Sequence, residues 1–183
     1  MTNYPSLLRP TATETFAVAG QFVAVPKVHL HLRKWVGQPL QHTFGNKPLV
    51  DFAGRPVFAE LCLYELFRLS GWDARWVETY GAPATGPYLF TGWLDAPLKQ
   101  QQYQPHTAAW VAELLASIAV HNNGRYGGCW DVVGWHGETV VFAELKRFRK
   151  DRVQATQLAW SEAGLKAGLQ PEIFLFVGWD FKQ

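Results

Sequence analysis

The stretch CWDVVGWHGETVVFAELK, residues 129–146, decides the fold. Its two apolar runs, 129–135 and 138–146, flank His136-Gly137. This pattern predicts two antiparallel strands joined by a two-residue turn. Both faces of the pair are apolar, which predicts a central place in a sheet that is covered on both sides. Apart from Glu138 next to the turn, three charged residues interrupt the apolar runs of this hairpin, namely Asp131, Glu144 and Lys146.

The predicted hairpin places these charged residues on one face. A turn at His136-Gly137 pairs Asp131 with Phe142 and sets Glu144 diagonally across from Asp131. Residues that face each other, or that lie two apart on a strand, share a sheet face. Asp131, Glu144 and Lys146 are therefore predicted to point the same way. Diagonal neighbours lie about 7–8 Å apart at the backbone, so the two carboxylates could converge on one ion.

Charges among apolar neighbours are unfavourable unless they are paired or bound to a metal ion. Carboxylate oxygens select Mg²⁺ or Mn²⁺ over zinc, and a lysine beside such an ion could position or deprotonate water. The alternative is an ordinary salt bridge at a sheet edge. An acid–any–lysine triplet arises by chance in a chain of this length, and Asp180-Phe181-Lys182 has the same spacing.

Helices and strands are predicted to alternate along the rest of the chain. The first 50 or so residues have the pattern of strands and turns. Downstream, helices are predicted from Pro56 to Ser70, from Thr107 to His121 and from Asp151 to Ala167, with strands at 72–80 and 173–178. Pro56 is expected in the first turn of its helix, and Asp151 is expected to cap the third helix. The order predicts an α/β fold with a mixed sheet flanked by helices.

Composition limits the classes of function. The chain has 183 residues, 48% of them apolar and 17% charged, with a net charge of +2. A single folded domain is expected, and global attraction to polyanions is excluded. The two cysteines, Cys62 and Cys129, form no CxxC pair and are expected to be buried thiols in a reducing compartment. The sequence shows no signal peptide, membrane span, GxxxxGK loop or GxSxG motif, so we expect a cytoplasmic protein that is neither a membrane partner, a motor nor a serine hydrolase.

Several short motifs occur together in an order that is familiar from one nuclease superfamily. They are Glu60, Gly71 and the strand 72–78, then Trp130-Asp131, Glu144-Leu145-Lys146, Asp151-Arg152, Gln157, Trp160, Gly168 and the strand 173–178. This set resembles the PD-(D/E)XK nuclease superfamily, and most closely its VRR-NUC branch, over about residues 56–180. Trp130 departs from the proline that usually precedes the aspartate in that family.

The resemblance implies a restriction-endonuclease-like core over residues 56–183, with an insertion at about 81–125. Residues 1–55 are then an N-terminal β-rich extension that packs against or beside the core. The insertion separates the first core strand from the aspartate strand, and this departure affects the expected substrate surface more than the expected chemistry.

The resemblance also implies roles for individual residues. Asp131 and Glu144 would be metal ligands, joined by the carbonyl of Leu145. Lys146 would orient the attacking water. Glu60 would be an outer ligand or a support, and Gln157 would position Lys146 or the substrate.

The function expected on this basis is hydrolysis of phosphodiester bonds in nucleic acid, with DNA as the expected substrate. The enzyme would be an endonuclease or exonuclease that depends on Mg²⁺ or Mn²⁺, and a homodimer is compatible with cutting two strands. Two alternatives stay open. One is a non-catalytic nucleic-acid-binding or assembly module on the same fold, and the other is an α/β domain that binds a small molecule or a protein.

A basic run directly follows the predicted acidic site. Residues 146–152 carry five cations and one acid, and the rest of the chain has 12 basic and 14 acidic residues. Positive charge is therefore concentrated next to the predicted site, which suits a phosphate backbone. Arg147, Arg149, Lys150 and Arg152 are the predicted nucleic-acid contacts. The alternative is a solvated loop that leads into a helix.

His29 and His31 lie two residues apart on a predicted strand and so share one face, as many metal-binding pairs do. No third ligand is adjacent to them in the sequence. Surface histidines are therefore the favoured interpretation, and a metal or DNA contact is the alternative.

Overall fold

A computed structural model describes residues 3–80, 86–105 and 108–182. Its strands are β1 (Ala12–Val18), β2 (Gln21–Leu32), β3 (Leu49–Phe52), β4 (Arg55–Phe58), β5 (Asp73–Glu78), β6 (Tyr88–Phe90), β7 (Val132–His136), β8 (Thr139–Arg147) and β9 (Phe174–Phe181). Its helices are α1 (Ala59–Leu69), α2 (Ala109–His121) and α3 (Ala155–Lys166). Short 3₁₀ turns lie at Ser6–Leu8, Leu98–Gln100 and Pro171–Ile173.

Seven strands form one mixed sheet in the order β1-β2-β9-β8-β7-β5-β6, and β3 and β4 form a separate hairpin. The neighbours β2, β9 and β8 run parallel, whereas the other pairs in the large sheet are antiparallel. The carboxyl ends of β2, β9, β8 and β5 therefore meet the start of β7 at one end of the sheet. The predicted α/β class with a mixed sheet is confirmed.

Helices cover both faces of the sheet, which explains why β7 and β8 are apolar on both sides. On one face, α1 packs Leu63 and Phe67 against the central strands. On the other face, α2 and α3 pack with Trp160 and Phe142 in a second cluster. Gly134 permits the close approach of α1, since a Cβ at this position would lie 2.2 Å from the ring of Phe67. Cys62 and Cys129 are buried free thiols, as predicted.

The hairpin of β7 and β8 forms, but its turn lies one residue later than predicted. His136 pairs with Thr139, so the turn residues are Gly137 and Glu138. Gly137 has a φ of +58°, and glycine at the first of two turn positions is typical of a type II′ turn. The shift moves the pairing by two residues, so Phe142 pairs with Val133 and not with Asp131. Because two is the side-chain period of a strand, every residue keeps its predicted face.

Two predicted helix starts are wrong. Pro56 lies in β4, opposite Asp51 in the small hairpin, and α1 begins only at Ala59. Asp151 does not cap α3, because the helix begins at Ala155 after Gln154 and the Asp151 carboxylate accepts the N–H of Arg147 instead, at 3.0 Å. A backbone donor upstream, the N–H of Arg147, occupies this carboxylate and so keeps it from capping the helix.

Residues 1–55 and the predicted insertion both contribute to the large sheet. β1 and β2 add two strands beside β9, and β6 adds the opposite edge strand beside β5. The predicted start of the second helix at Thr107 lies outside the described residues, and α2 is seen from Ala109. No described helix has the length and apolar character that crossing a membrane requires.

Candidate functional site

The acidic side chains meet at the end of the sheet where β5 and β8 finish and β7 starts. Asp131 directly precedes β7, and its backbone carbonyl accepts the N–H of Val77 at the end of β5, at 2.8 Å. Continuing the β7–β8 pairing by one residue sets Asp131 opposite Glu144, closer than the predicted diagonal arrangement. Lys146 follows two residues later on the same face. The sheet therefore brings together the three charged residues singled out in the sequence.

Hydrogen bonds fix this pair of acids. Oδ2 of Asp131 accepts the backbone N–H of Leu145 at 2.8 Å. Glu144 is fully buried, and its Oε1 accepts hydrogen bonds from Nζ of Lys146 and Nε2 of Gln157. Its other oxygen, Oε2, is buried and receives no hydrogen bond from any described residue. A buried carboxylate oxygen without a donor is unfavourable, which makes it a candidate ligand for a cation.

Burial and mutual repulsion shift the pKa values of both acids upward. Burial raises the pKa of Asp131 to about 6, the charge of Glu60 adds to the increase, and Lys146 and Lys47 oppose it. Burial, followed by the neighbouring Asp131, raises the pKa of Glu144 well above its usual value. The nearby ammonium groups therefore leave the two acids short of compensating positive charge.

Lys146 is held as a cation. Burial lowers its pKa, but Glu144 and Asp131 raise it by more, so that the net change is upward. Its side chain is 12% exposed and lines a cleft that also contains Asp131. A protonated lysine donates hydrogen bonds and accepts none. As a cation it can orient a water molecule or a phosphate oxygen.

Glu60 reaches this end of the sheet from the first turn of α1, and its partner is Lys47. Nζ of Lys47 lies 2.5 Å from Oε1 of Glu60 and 3.9 Å from Oε2 of Glu78. Burial lowers the pKa of Lys47, but Glu60, Asp131 and Glu78 together raise it by more. Sequence reasoning missed Lys47 and Glu78. Lys47 belongs to an irregular loop, where no periodic pattern predicts its neighbours. Glu78 lies at the end of a predicted strand, and this position could have indicated that it is near the acidic site.

Gln157 connects the start of α3 to Glu144. Its Oε1 accepts the backbone N–H of Gln154 at 2.8 Å, which satisfies a free donor at the helix start. Its Nε2 donates to Oε1 of Glu144. The amide thereby contacts the same carboxylate oxygen that accepts a hydrogen bond from Lys146, and the role of Gln157 in positioning Lys146 or the substrate stays a prediction.

The basic run forms the loop between β8 and α3. Arg147 and Lys150 line the cleft beside Asp131, and the guanidinium of Arg147 stacks 4.7 Å from the ring centre of Phe181. Arg149 and Arg152 are exposed on the same loop. The structure thus places two of the four predicted contacts in the cleft and two on the adjoining surface.

The two histidines of β2 are not isolated. Asp180 of β9 lies beside them, with Oδ1 at 2.5 Å from Nδ1 of His31 and Oδ2 at 3.4 Å from Nε2 of His29. The parallel pairing of β2 with β9 sets His31 opposite Asp180. The third side chain, which could not be found near them in the sequence, comes from a strand about 150 residues further along the chain.

The donor set at Asp131 and Glu144 suits a hard divalent cation. It combines two carboxylates, one buried oxygen without a hydrogen-bond donor, and pKa values that a positive charge would lower. No family model, curated protein or solved structure matches this chain. The site is therefore interpreted from its own geometry, and membership of the PD-(D/E)XK superfamily stays a prediction.

Proposed function

We propose that this protein is a divalent-metal-dependent nuclease that hydrolyses phosphodiester bonds, with DNA as the substrate. One observation carries the proposal. The fully buried Glu144 has an oxygen that receives no hydrogen bond from a described residue, and it lies beside the half-buried Asp131, which lines a cleft with Lys47, Lys146, Arg147 and Lys150. Two ionised carboxylates in this arrangement are unfavourable unless a cation binds or the two groups share a proton.

Each residue at the site has a distinct proposed role. Asp131 and Glu144 would hold Mg²⁺ or Mn²⁺, with the Leu145 carbonyl as a further ligand. When bound, the ion lowers the pKa of a water molecule and neutralises charge that develops on the phosphate. Lys146 donates hydrogen bonds to the attacking water or to a phosphate oxygen, and Gln157 holds Glu144 in place for it.

Glu60 and the basic loop have supporting roles. Glu60 lies close enough to Asp131 to raise its pKa, while its own carboxylate is paired with Lys47. It therefore acts as an outer support. Arg147 and Lys150 attract the phosphate backbone into the cleft, and Arg149 and Arg152 extend the positive surface along it. The restriction-endonuclease-like core is the fold in which such an arrangement is expected.

A cleavage assay tests the proposal. Plasmid, linear duplex, branched and single-stranded DNA, together with RNA, are incubated with the protein in Mg²⁺, Mn²⁺ or EDTA. The same assay is run on Glu144→Gln and Lys146→Ala. Glu138→Gln is the matched control, because Glu138 lies exposed in the turn of the same hairpin. We expect metal-dependent cleavage by the wild type and the control, and none by the two site variants.

The outcomes separate the competing functions. Cleavage that persists in Glu144→Gln would reject this site as the catalytic centre. Absence of cleavage on every substrate, combined with Mn²⁺ binding that depends on Glu144, would support the non-catalytic nucleic-acid-binding module. Absence of both cleavage and metal binding would reject the nuclease and leave the acids as a buried salt bridge with Lys146.

A further inference from the structure

We propose that His29, His31 and Asp180 form a second metal site, which binds a zinc-type divalent ion and is chemically distinct from the Asp131–Glu144 pair. Among the described residues, these three form a group whose potential ligand atoms all lie within 4.8 Å of one another. The proposal does not depend on nuclease activity, because it shares no residue with the proposed catalytic site.

The distances between the donor atoms suit a small ion. Zinc bonds of about 2.0–2.1 Å in a tetrahedral arrangement place neighbouring ligand atoms about 3.3 Å apart. The separation of 3.4 Å between Nε2 of His29 and Oδ2 of Asp180 already matches this value. His31 contacts the other carboxylate oxygen, with Nδ1 2.5 Å from Oδ1 of Asp180, so one ion between the rings would either bind both oxygens or require the carboxylate to turn.

The donor types select the ion. Two imidazole nitrogens and one carboxylate oxygen favour Zn²⁺ and related transition metals, whereas Mg²⁺ prefers an all-oxygen set. The side chains of His29 and Asp180 are about one third exposed, and that of His31 is 62% exposed. The site is therefore reachable from solvent, and three protein ligands leave a fourth position for water.

The sheet preorganises the three ligands. His29 and His31 share a face of β2, and Asp180 lies opposite His31 on β9. Gly178 stands opposite His29, and a Cβ there would lie 2.8 Å from Nδ1 of that ring. The absence of a side chain at Gly178 allows the imidazole to lie over β9, with Nε2 directed towards Asp180. A strand scaffold holds ligands with little loss of entropy on binding.

The second site neighbours the first. Gly178 of β9 pairs with His29 of β2 on one side and with Lys146 of β8 on the other. Two strand spacings therefore separate His29 from Lys146, which is about 10 Å at the backbone. Phe148, in the basic loop, packs edge-on against His29 with ring centres 5.8 Å apart. A bound ion would thus fix a ring on which the nucleic-acid-facing loop rests.

Metal titration of the full chain tests the proposal. Zn²⁺ is titrated against a chromophoric chelator, and Co²⁺ serves as a spectroscopic probe of nitrogen ligation. We expect one tightly bound equivalent of Zn²⁺ in the wild type and in the exposed control His121→Gln. Glu144→Gln should keep this equivalent, because the oxygen ligands of the Asp131–Glu144 pair favour Mg²⁺ or Mn²⁺ over zinc. His31→Gln and Asp180→Asn are each expected to weaken binding by about 100-fold or more.

Three results would overturn the proposal. The first is a wild-type dissociation constant for Zn²⁺ that is millimolar or weaker. The second is Zn²⁺ binding by His31→Gln and Asp180→Asn that is as tight as that of the wild type. The third is loss of the bound zinc in Glu144→Gln but not in the other variants. The first would leave the trio as a histidine–carboxylate ion pair. If the variants do not fold, imidazole ¹⁵N shifts in the wild type decide the matter. Zn²⁺ must shift His29 and His31, and unchanged signals from both reject the site.

Discussion

Nζ of Lys47 lies 2.5 Å from Oε1 of Glu60, so an irregular loop and the first turn of α1 are joined at the edge of the acidic site. The same ammonium group lies 3.9 Å from Oε2 of Glu78, and its charge opposes the upward shift in the pKa of Asp131. Lys47 therefore supplies positive charge to three acids at once. In the absence of a bound cation, Lys146 and Lys47 together limit the repulsion at Asp131.

Replacing this lysine should destabilise the metal-free protein. Lys47→Met keeps the length of the side chain but leaves Glu60 paired with no cation at this position. We expect the free energy of unfolding to fall by about 1–3 kcal/mol at pH 7, because a largely buried carboxylate loses a charged hydrogen-bond donor. Chemical denaturation measures the change. Lys99→Met, at an exposed lysine, is the control and should differ from wild type by less than about 0.5 kcal/mol. An equally small effect at Lys47 would show that the pair contributes nothing.

Neutralising Asp131 should stabilise the metal-free protein above pH 6. The folded chain raises the pKa of this acid from 3.8 to about 6, so the folded state favours its protonated form. The stability that this proton provides is complete below about pH 4 and is lost as the pH rises to about 6. Asp131→Asn should therefore match wild type at pH 4 and exceed it by about 1–3 kcal/mol at pH 7 in EDTA.

The control for this pH profile has the opposite sign. Backbone N–H groups of His42 and Gln41 lower the pKa of Asp95, so Asp95→Asn should lose stability at neutral pH. A destabilised Asp131→Asn at pH 7 would contradict the raised pKa. Mg²⁺ or Mn²⁺ should increase the melting temperature of wild type, but not that of Asp131→Asn, because only the charged pair holds the ion.

Two substitutions of Gln157 separate its two hydrogen bonds. Gln157→Glu keeps an acceptor for the N–H of Gln154 but replaces the donor to Glu144 with a second acceptor. Gln157→Ala removes both. We expect both variants to reduce kcat by about 10- to 100-fold with little change in KM, since the amide acts by positioning Glu144. Only Gln157→Ala should also lose about 1 kcal/mol of helix capping. Full activity of Gln157→Glu would show that the amide donor is unnecessary.

The basic loop should determine how DNA binding responds to salt. Replacing Arg149, Lys150 and Arg152 together with alanine should reduce the slope of log K against log salt by about two to three, at about 0.9 for each phosphate contact that is lost. Fluorescence anisotropy across a salt series measures the slope. Arg9→Ala with Lys99→Ala, both exposed elsewhere, should leave it unchanged. An unaltered slope in the triple variant would identify the loop as a solvated surface without DNA contacts.

The local pattern was sufficient to predict the acidic face but not the turn. Placing the turn at His136-Gly137 shifted the pairing by two residues, yet Asp131, Glu144 and Lys146 kept a common face because strands repeat every two residues. A shift of the strand pairing by one residue would have separated them. The apolar runs on both faces correctly predicted a central hairpin, because coverage by helices on both sides leaves little room for polar side chains.

Contacts between distant parts of the chain could not be predicted in this way. Lys47 approaches Glu60 from an irregular loop, and Asp180 meets His31 through a parallel pairing between the second strand and the last. The sequence around these residues does not indicate either contact. Pro56 shows that a correct local preference can still give a wrong prediction. Proline suits the start of a helix, but Pro56 pairs with Asp51 in a short hairpin instead.

The pairing of β2 with β9 also bears on self-association. A chain that began at residue 56 would keep Asp131, Glu144 and Lys146, but one whole side of β9 would lose its hydrogen-bonding partner. An uncovered strand edge recruits strands from other molecules, and the exposed backbone of β9 would become such a template. The first 55 residues therefore cover this edge of β9, and β1 becomes the outer strand on that side of the sheet.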